Sequence, residues 1–215
     1  MDQGLFLPGY GARARSYERG LPEGWASLQP PLHVLSSGSL DQLRGWLVRE
    51  LDRRSGRVLL AGHSMGAALA VLAAAHAPDR VSGLVLVAPA GLPLVKPVRE
   101  CVHDFLRSLR AGRYSATDVL PPLGDFARYP RGAVRLARSL KRLDLTAEMR
   151  AIRAKGIPST VIACSSDTLT TPDSSRRTAR LLGARYREFP HVGGHVWMFG
   201  SWARFSRELE NAVRP

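Results

Sequence analysis

The stretch VLLAGHSMGAALAVLAAAHAP, Val58 to Pro78, decides how the rest of the chain is read. A leucine-rich, β-branched run gives way to an alanine-rich one, and the change falls on Gly62-His63-Ser64-Met65-Gly66. A strand, a sharp turn and a helix are the context in which a Gly-x-Ser-x-Gly pentapeptide presents an exposed serine. Gly62 and Gly66 remove side chains where the two backbones must come close. Serine is also a common helix N-cap, so the pentapeptide alone leaves Ser64 either a nucleophile or a capped turn.

The neighbouring sequence repeats the strand–helix alternation. Gly4 to Leu7 reads as a buried strand that stops at the permissive loop Pro8-Gly9-Tyr10-Gly11. Leu32 to Leu35 is a second apolar run and reads as a second strand, opened by His33 and ended by Ser36-Ser37-Gly38. Ser39 caps a helix whose apolar residues Leu40, Leu43, Trp46, Leu47 and Leu51 recur at helical spacing. Arg57 to Ala61 is the third strand, Met65 to His76 a helix, and Val81 to Ala88 a fourth strand continuous enough to be buried on both faces. Ser159 to Cys164, a helix over Asp173 to Leu182, Arg185 to Phe189 and a last helix over about residues 201–213 complete the pattern. Such alternation predicts an α/β fold around a mostly parallel sheet of about six strands flanked by helices.

One segment breaks the rhythm. From about Pro93 to Leu145 the chain is proline-punctuated and helix-prone, with eleven Lys or Arg between Lys96 and Arg142 against four acids. The organisation is therefore a core of residues 1–92 and 146–215 with a helical insertion over 93–145.

Composition bounds the function. At 215 residues, 45% hydrophobic and 23% charged, the chain suits a globular domain with a sizeable core. The net charge of +13 invites a nucleic-acid reading, yet 28 of the 31 basic residues are arginines spread along nearly the whole chain beside abundant alanine. GC-rich coding produces that bias without a polyanion site, so no nucleic-acid partner is expected. The most apolar segment, Val81 to Val95, is too interrupted and too short for a membrane span. No basic leader precedes the short run Leu5-Phe6-Leu7, and Cys101 and Cys164 have no metal or redox spacing. A cytoplasmic protein with reduced thiols is the expectation.

A serine hydroxyl attacks only when a base takes its proton and a third group orients that base. Of six histidines, His33 opens a predicted strand, His76 closes a helix, His103 lies in the insertion, and His63 points away from the serine. That leaves His191 and His195 in PHVGGHVW, after the last strand; two glycines before His195 let the backbone swing it over the sheet edge, which favours His195. For the acid, CSSDTLTTP places Asp167 just past the fifth strand, whereas Asp173 follows Pro172 as an early helical acid matched to the dipole.

The order Ser64, Asp167, His195 is that of the α/β-hydrolase triad. Across essentially its whole length the chain resembles that superfamily. LFLPGYG is similar to its oxyanion loop, GHSMG to its nucleophile elbow, SSDTLTTP to its acid loop and VGGHVW to its histidine loop. The resemblance implies an oxyanion hole from the backbone N–H groups of Tyr10 and Met65, whose side chains then line an acyl pocket together with Trp197. It also implies that the insertion is a lid, whose apolar residues, among them Leu120 and Phe126, roof the substrate. Three features depart from the family pattern: Pro8 replaces the usual histidine of the oxyanion loop, Ala67 follows the elbow in place of glycine, and no counterpart of the first hairpin precedes Gly4. The last predicts a minimal sheet with one uncovered edge.

The implied activity is hydrolysis of carboxylic esters or thioesters with small to medium acyl chains through an acyl-enzyme, without metal or organic cofactor. The partner is then a small acyl substrate, or an acyl group on an acidic carrier protein facing the basic insertion. Carbon–carbon bond hydrolysis and a non-catalytic ligand-binding homologue are the alternatives. A haloalkane dehalogenase is disfavoured because its nucleophile would be aspartate.

Overall fold

Along each central strand the side chains alternate between two apolar layers, as a period of two requires. Leu5, Leu7, Leu60, Leu84, Leu86 and Val161 enter one buried cluster, while Phe6, Ala61, Val85, Val87 and Ile162 enter the other. A sheet covered on both faces follows. The computed structural model describes residues 4–111 and 128–213. Its strands are β1 (Gly4–Leu7), β2 (Trp25–Ser27), β3 (Val58–His63), β4 (Val81–Val87), β5 (Ser159–Cys164) and β6 (Arg185–Phe189). They form one sheet in the order β2-β1-β3-β4-β5-β6, with every neighbouring pair parallel.

The helices are α1 (Ala14–Tyr17), α2 (Leu32–Ser37), α3 (Leu40–Asp52), α4 (Met65–His76), α5 (Val98–Ala111), α6 (Pro130–Arg142), α7 (Thr146–Ala154), α8 (Pro172–Leu182) and α9 (Trp202–Val213). Leu43, Leu47 and Leu51 of α3, the alanines of α4, Met149 and Ile152 of α7, and Leu182 of α8 cover the first face. Tyr17 at the end of α1, the turn Gly194–Gly200, and Phe205 and Leu209 of α9 cover the second. α4 is buried almost all round, and alanine lets its backbone approach the sheet closely. Ser39 caps α3 as predicted, its side chain accepting from the Gln42 amide.

One predicted element changes type. Leu32–Leu35 is not a strand but most of α2, so His33 opens no strand. Pro30-Pro31 sets up the helix start, and Gly38, at φ +64°, closes it in the left-handed region. Four apolar residues carry no period that separates strand from helix. The second strand is instead the three-residue Trp25–Ser27, which lies at the sheet edge beside β1.

Between β4 and β5 the insertion supplies α5 and α6; the predicted roofing residues Leu120 and Phe126 lie outside the described residues. Among the described residues, no helix is long and apolar enough to cross a membrane. Because all six strands run the same way, their carboxyl ends share one edge of the sheet, where the loops carrying Ser64, Asp167 and His195 emerge.

Candidate active site

The elbow is built by what its glycines lack. A Cβ at Gly62 would lie 2.3 Å from the carbonyl carbon of Gly66, and one at Gly66 would lie 2.1 Å from the carbonyl oxygen of Leu7. Both approaches are closer than any side chain permits, so strand, helix and the β1 loop interlock only with glycine there. Ser64 sits at φ +52° and ψ −111°, a conformation costing about 1–3 kcal/mol for a residue with a side chain. The surroundings hold it there: its amide donates to Val87 O at 3.0 Å, and its carbonyl accepts from Ala68 and Ala90 at 3.2 Å.

The three candidate residues meet. His195 Nε2 lies 3.0 Å from Ser64 Oγ, and His195 Nδ1 lies 2.9 Å from Asp167 Oδ2. His195 is 2% exposed and Asp167 3%, while Ser64 is partly open to solvent, so the base and acid are dry and the hydroxyl is reachable. Asp167 begins a tight loop just after β5. Its Oδ1 accepts from the amides of Leu169 at 2.8 Å and Thr170 at 3.0 Å, which fixes the carboxylate plane. A carboxylate only accepts, so Nδ1 of His195 carries the proton and Nε2 presents a lone pair to Ser64.

The rivals lie elsewhere. Asp173, in the first turn of α8, pairs with Arg176 at 2.6 Å on the surface. His191 turns back on its own loop, where its Nδ1 accepts from the Gly193 amide at 2.9 Å. Its pKa is lowered by partial burial and by Arg204.

Trp197 does not line the cleft. It is fully buried in the second core layer, with its ring against Phe189 and Phe205. The turn Gly194–Gly200 that brings His195 over the sheet sends Trp197 down into the core. Tyr10 and Met65 do border a small cavity, of about 60 Å³, with Leu35, Tyr129 and Leu136 on its other walls.

Sequence reasoning missed the residues that hold these loops. Thr170 Oγ1 lies 2.9 Å from Asp167 Oδ2, 3.1 Å from Ala88 O and 3.2 Å from His195 Nδ1, so one hydroxyl braces acid, base and the end of β4. Ser108 of α5 accepts from the His195 amide at 3.3 Å. Lys96 bridges Asp104 of α5 and the carbonyl of Thr168, at 2.7 Å each. His63 does not face Ser64, as expected, but it lies under His195 with ring centroids 4.8 Å apart. Thr170 and Asp167 are three residues apart and Lys96 and Asp104 eight, but the other partners are far apart in sequence, so no local pattern marks those contacts.

The model of the alpha/beta hydrolase family matches residues 5–208. A curated relative, the dihydrolipoyllysine-residue acetyltransferase component of an acetoin cleaving system from Pseudomonas putida, is 36% identical over 89 residues. That match covers 41% of this chain and only 19% of the relative. Among solved structures, a bromoperoxidase from Bacillus anthracis superposes with a TM-score of 0.76 at 18% identity, covering 100% of this chain and 93% of its own. Est816, an N-acyl homoserine lactone degrading enzyme, gives 0.74 at 16% identity over 99% and 93%. At these identities the two structures establish the fold, and the family match does the rest. The chain belongs to the alpha/beta hydrolase family and is an enzyme of hydrolase type.

Proposed function

We propose that this hydrolase cleaves carboxylic esters or thioesters of small to medium acyl chains through a Ser64–His195–Asp167 triad. The observation that carries the proposal is the unbroken line Ser64 Oγ, His195 Nε2, His195 Nδ1, Asp167 Oδ2, with links of 3.0 and 2.9 Å. Ser64 Oγ attacks the acyl carbon while its proton passes to Nε2, and Asp167 stabilises the imidazolium. The tetrahedral oxyanion rests on the backbone N–H groups of Met65 and Tyr10. Met65 opens α4, so its amide has no acceptor within the helix and stands at the positive end of the dipole. Each such donor is worth about 10²–10³ in rate.

Collapse of the intermediate expels the alcohol or thiol, which leaves with the proton from Nε2. Water then gives a proton to Nε2 and attacks the acyl-serine. Its oxygen ends in the acid, and the proton returns to Ser64. The cavity bordered by Tyr10 and Met65 lies beside the elbow and supports an acyl site there.

A fluorophosphonate probe tests the reading. Ser64 becomes covalently modified, as read by peptide mass spectrometry, and Ser64→Ala takes up no label. A folded protein that takes up no label sinks the triad.

One observation favours a second reading of the leaving group. Arg131, Arg135, Arg138 and Arg142 recur at helical spacing along the exposed side of α6 and form one basic stripe. The insertion, which we read as a lid, would offer that stripe to an acidic acyl-carrier protein. Reversing the stripe to glutamate then depresses turnover of carrier-linked esters and spares free ones. An equal effect on both removes the carrier.

A further inference from the structure

His63 is the variable residue of the pentapeptide, and the reaction above makes no use of it. It is nevertheless 3% exposed, and both ring nitrogens are engaged. Nε2 lies 2.9 Å from the carbonyl oxygen of His195, and Nδ1 lies 2.8 Å from the hydroxyl of Tyr17. Tyr17, wholly buried at the end of α1, also receives the amide of Gly9 at 3.4 Å.

Chemistry fixes the direction of each bond. A carbonyl only accepts, so His63 carries its proton on Nε2 and donates it to His195 O. Nδ1 is then an acceptor, and the Tyr17 hydroxyl must donate to it. The Tyr17 oxygen is left to accept from Gly9 N–H. Burial, and after it the neighbouring His195, push the His63 pKa well below the ordinary histidine value, which keeps the ring in the neutral form that this pattern needs.

A second observation is independent of the hydrogen bonds. A Cβ on Gly9 would stand 2.7 Å from His63 Nδ1, so the glycine leaves room for the ring directly beneath the β1 loop. His63 thus touches the loop that bears the Tyr10 amide on one side and the backbone of His195 on the other.

We propose that Tyr17 and His63 are positioning residues: the chain Gly9 N–H, Tyr17 O–H, His63 Nε2–H, His195 C=O sets the oxyanion loop and the catalytic histidine in register. The role rests on the triad proposed above. Both ends of the chain are backbone groups, so it fixes where the Tyr10 amide and the His195 ring stand without touching substrate. Loss of a link misplaces both in the transition state and leaves ground-state binding alone.

The test has two arms on the full-length protein. Long-range ¹H–¹⁵N NMR of ¹⁵N-histidine-labelled enzyme reads the His63 tautomer directly. The expected signal is a neutral ring protonated at Nε2, retained in Tyr17→Phe because the His195 carbonyl still takes that proton, with the Nδ1 resonance shifted by loss of its donor; a proton on Nδ1 in the wild type overturns the relay. The second arm is turnover of p-nitrophenyl acetate.

His63→Leu and Tyr17→Phe each lower kcat roughly tenfold, with KM unchanged within about twofold. His63→Gln retains an N–H near the Nε2 position and recovers most of kcat, which a purely space-filling role would not produce. Unchanged kcat in folded variants, or His63→Gln no better than His63→Leu, overturns the proposal while the triad stands. A wild type that neither turns over ester nor labels with fluorophosphonate overturns the triad reading and the positioning role with it.

Discussion

The carboxyl edge of the sheet and the insertion between β4 and β5 meet around Ser64, yet they are built on opposite terms. At the edge, Asp167, Thr170 and His195 are at most 3% exposed, each is hydrogen-bonded, and the glycines of the elbow admit no Cβ. On the insertion, Val98 is 59% exposed, Val102 52% and Val134 49%, and four arginines line the outer side of α6. The edge is fixed by backbone contacts that one methyl group would break. Among the described residues of the insertion, these valines and arginines stand out toward solvent, with Arg135 reaching the Ser37 carbonyl at 3.3 Å. The proposed triad therefore sits in the tightly packed part, and the exposed apolar and basic side chains in the other.

Ser64→Ala breaks the rigid side most severely: ester hydrolysis falls by at least about 10³-fold in a protein of unchanged fold, measured as kcat with circular dichroism as control. Thr170→Val comes next. It removes the hydroxyl that braces Asp167 and His195 and leaves the volume, so kcat falls roughly tenfold, by the loss of about one hydrogen bond.

A smaller effect concerns stability. The folded pKa of His63 lies below its unfolded value. In the window between them the unfolded chain binds a proton that the fold refuses. Stability is therefore unaffected above about pH 6.5, falls as pH drops through the window, and levels off below the folded value. Urea titrations at successive pH values show this slope in the wild type and a shallower one in His63→Gln. Smallest of all is the effect of reversing Arg131, Arg135, Arg138 and Arg142 on a free p-nitrophenyl ester. Rates stay within about twofold, and a larger loss would show that the insertion is not the independent part the comparison makes it.

What could be read from the sequence follows the same division. The β3–turn–α4 signal, the continuous run of β4, and the loops bearing Asp167 and His195 were legible because strand period, turn residues and chain order all agree there. β2 was not legible: three residues carry too little pattern, and it took its place at the sheet edge by pairing with β1. Leu32–Leu35 misled because a short apolar run fits either α2 or a strand. The resemblance implies a pocket place for Trp197, but the short-pitch turn after His195 sends that side chain down into the core. Tyr17, Thr170 and Ser108 left no sequence signal, since a single hydroxyl contact across the fold has no period.

The ties between the insertion and the sheet edge carry a consequence for protein engineering. Lys96 grips Thr168, Ser108 meets the His195 amide, and Tyr10 donates to Ala133 of α6 at 2.9 Å. A chimera that swaps residues 93–145 for a homologous cassette would lose the Lys96 and Ser108 contacts unless the donor carried their equivalents, whereas the Tyr10 bond needs only a backbone carbonyl at the Ala133 position. Carrying that lysine and serine over with the cassette is the minimal recipe for keeping the Thr168 and His195 loops where they stand.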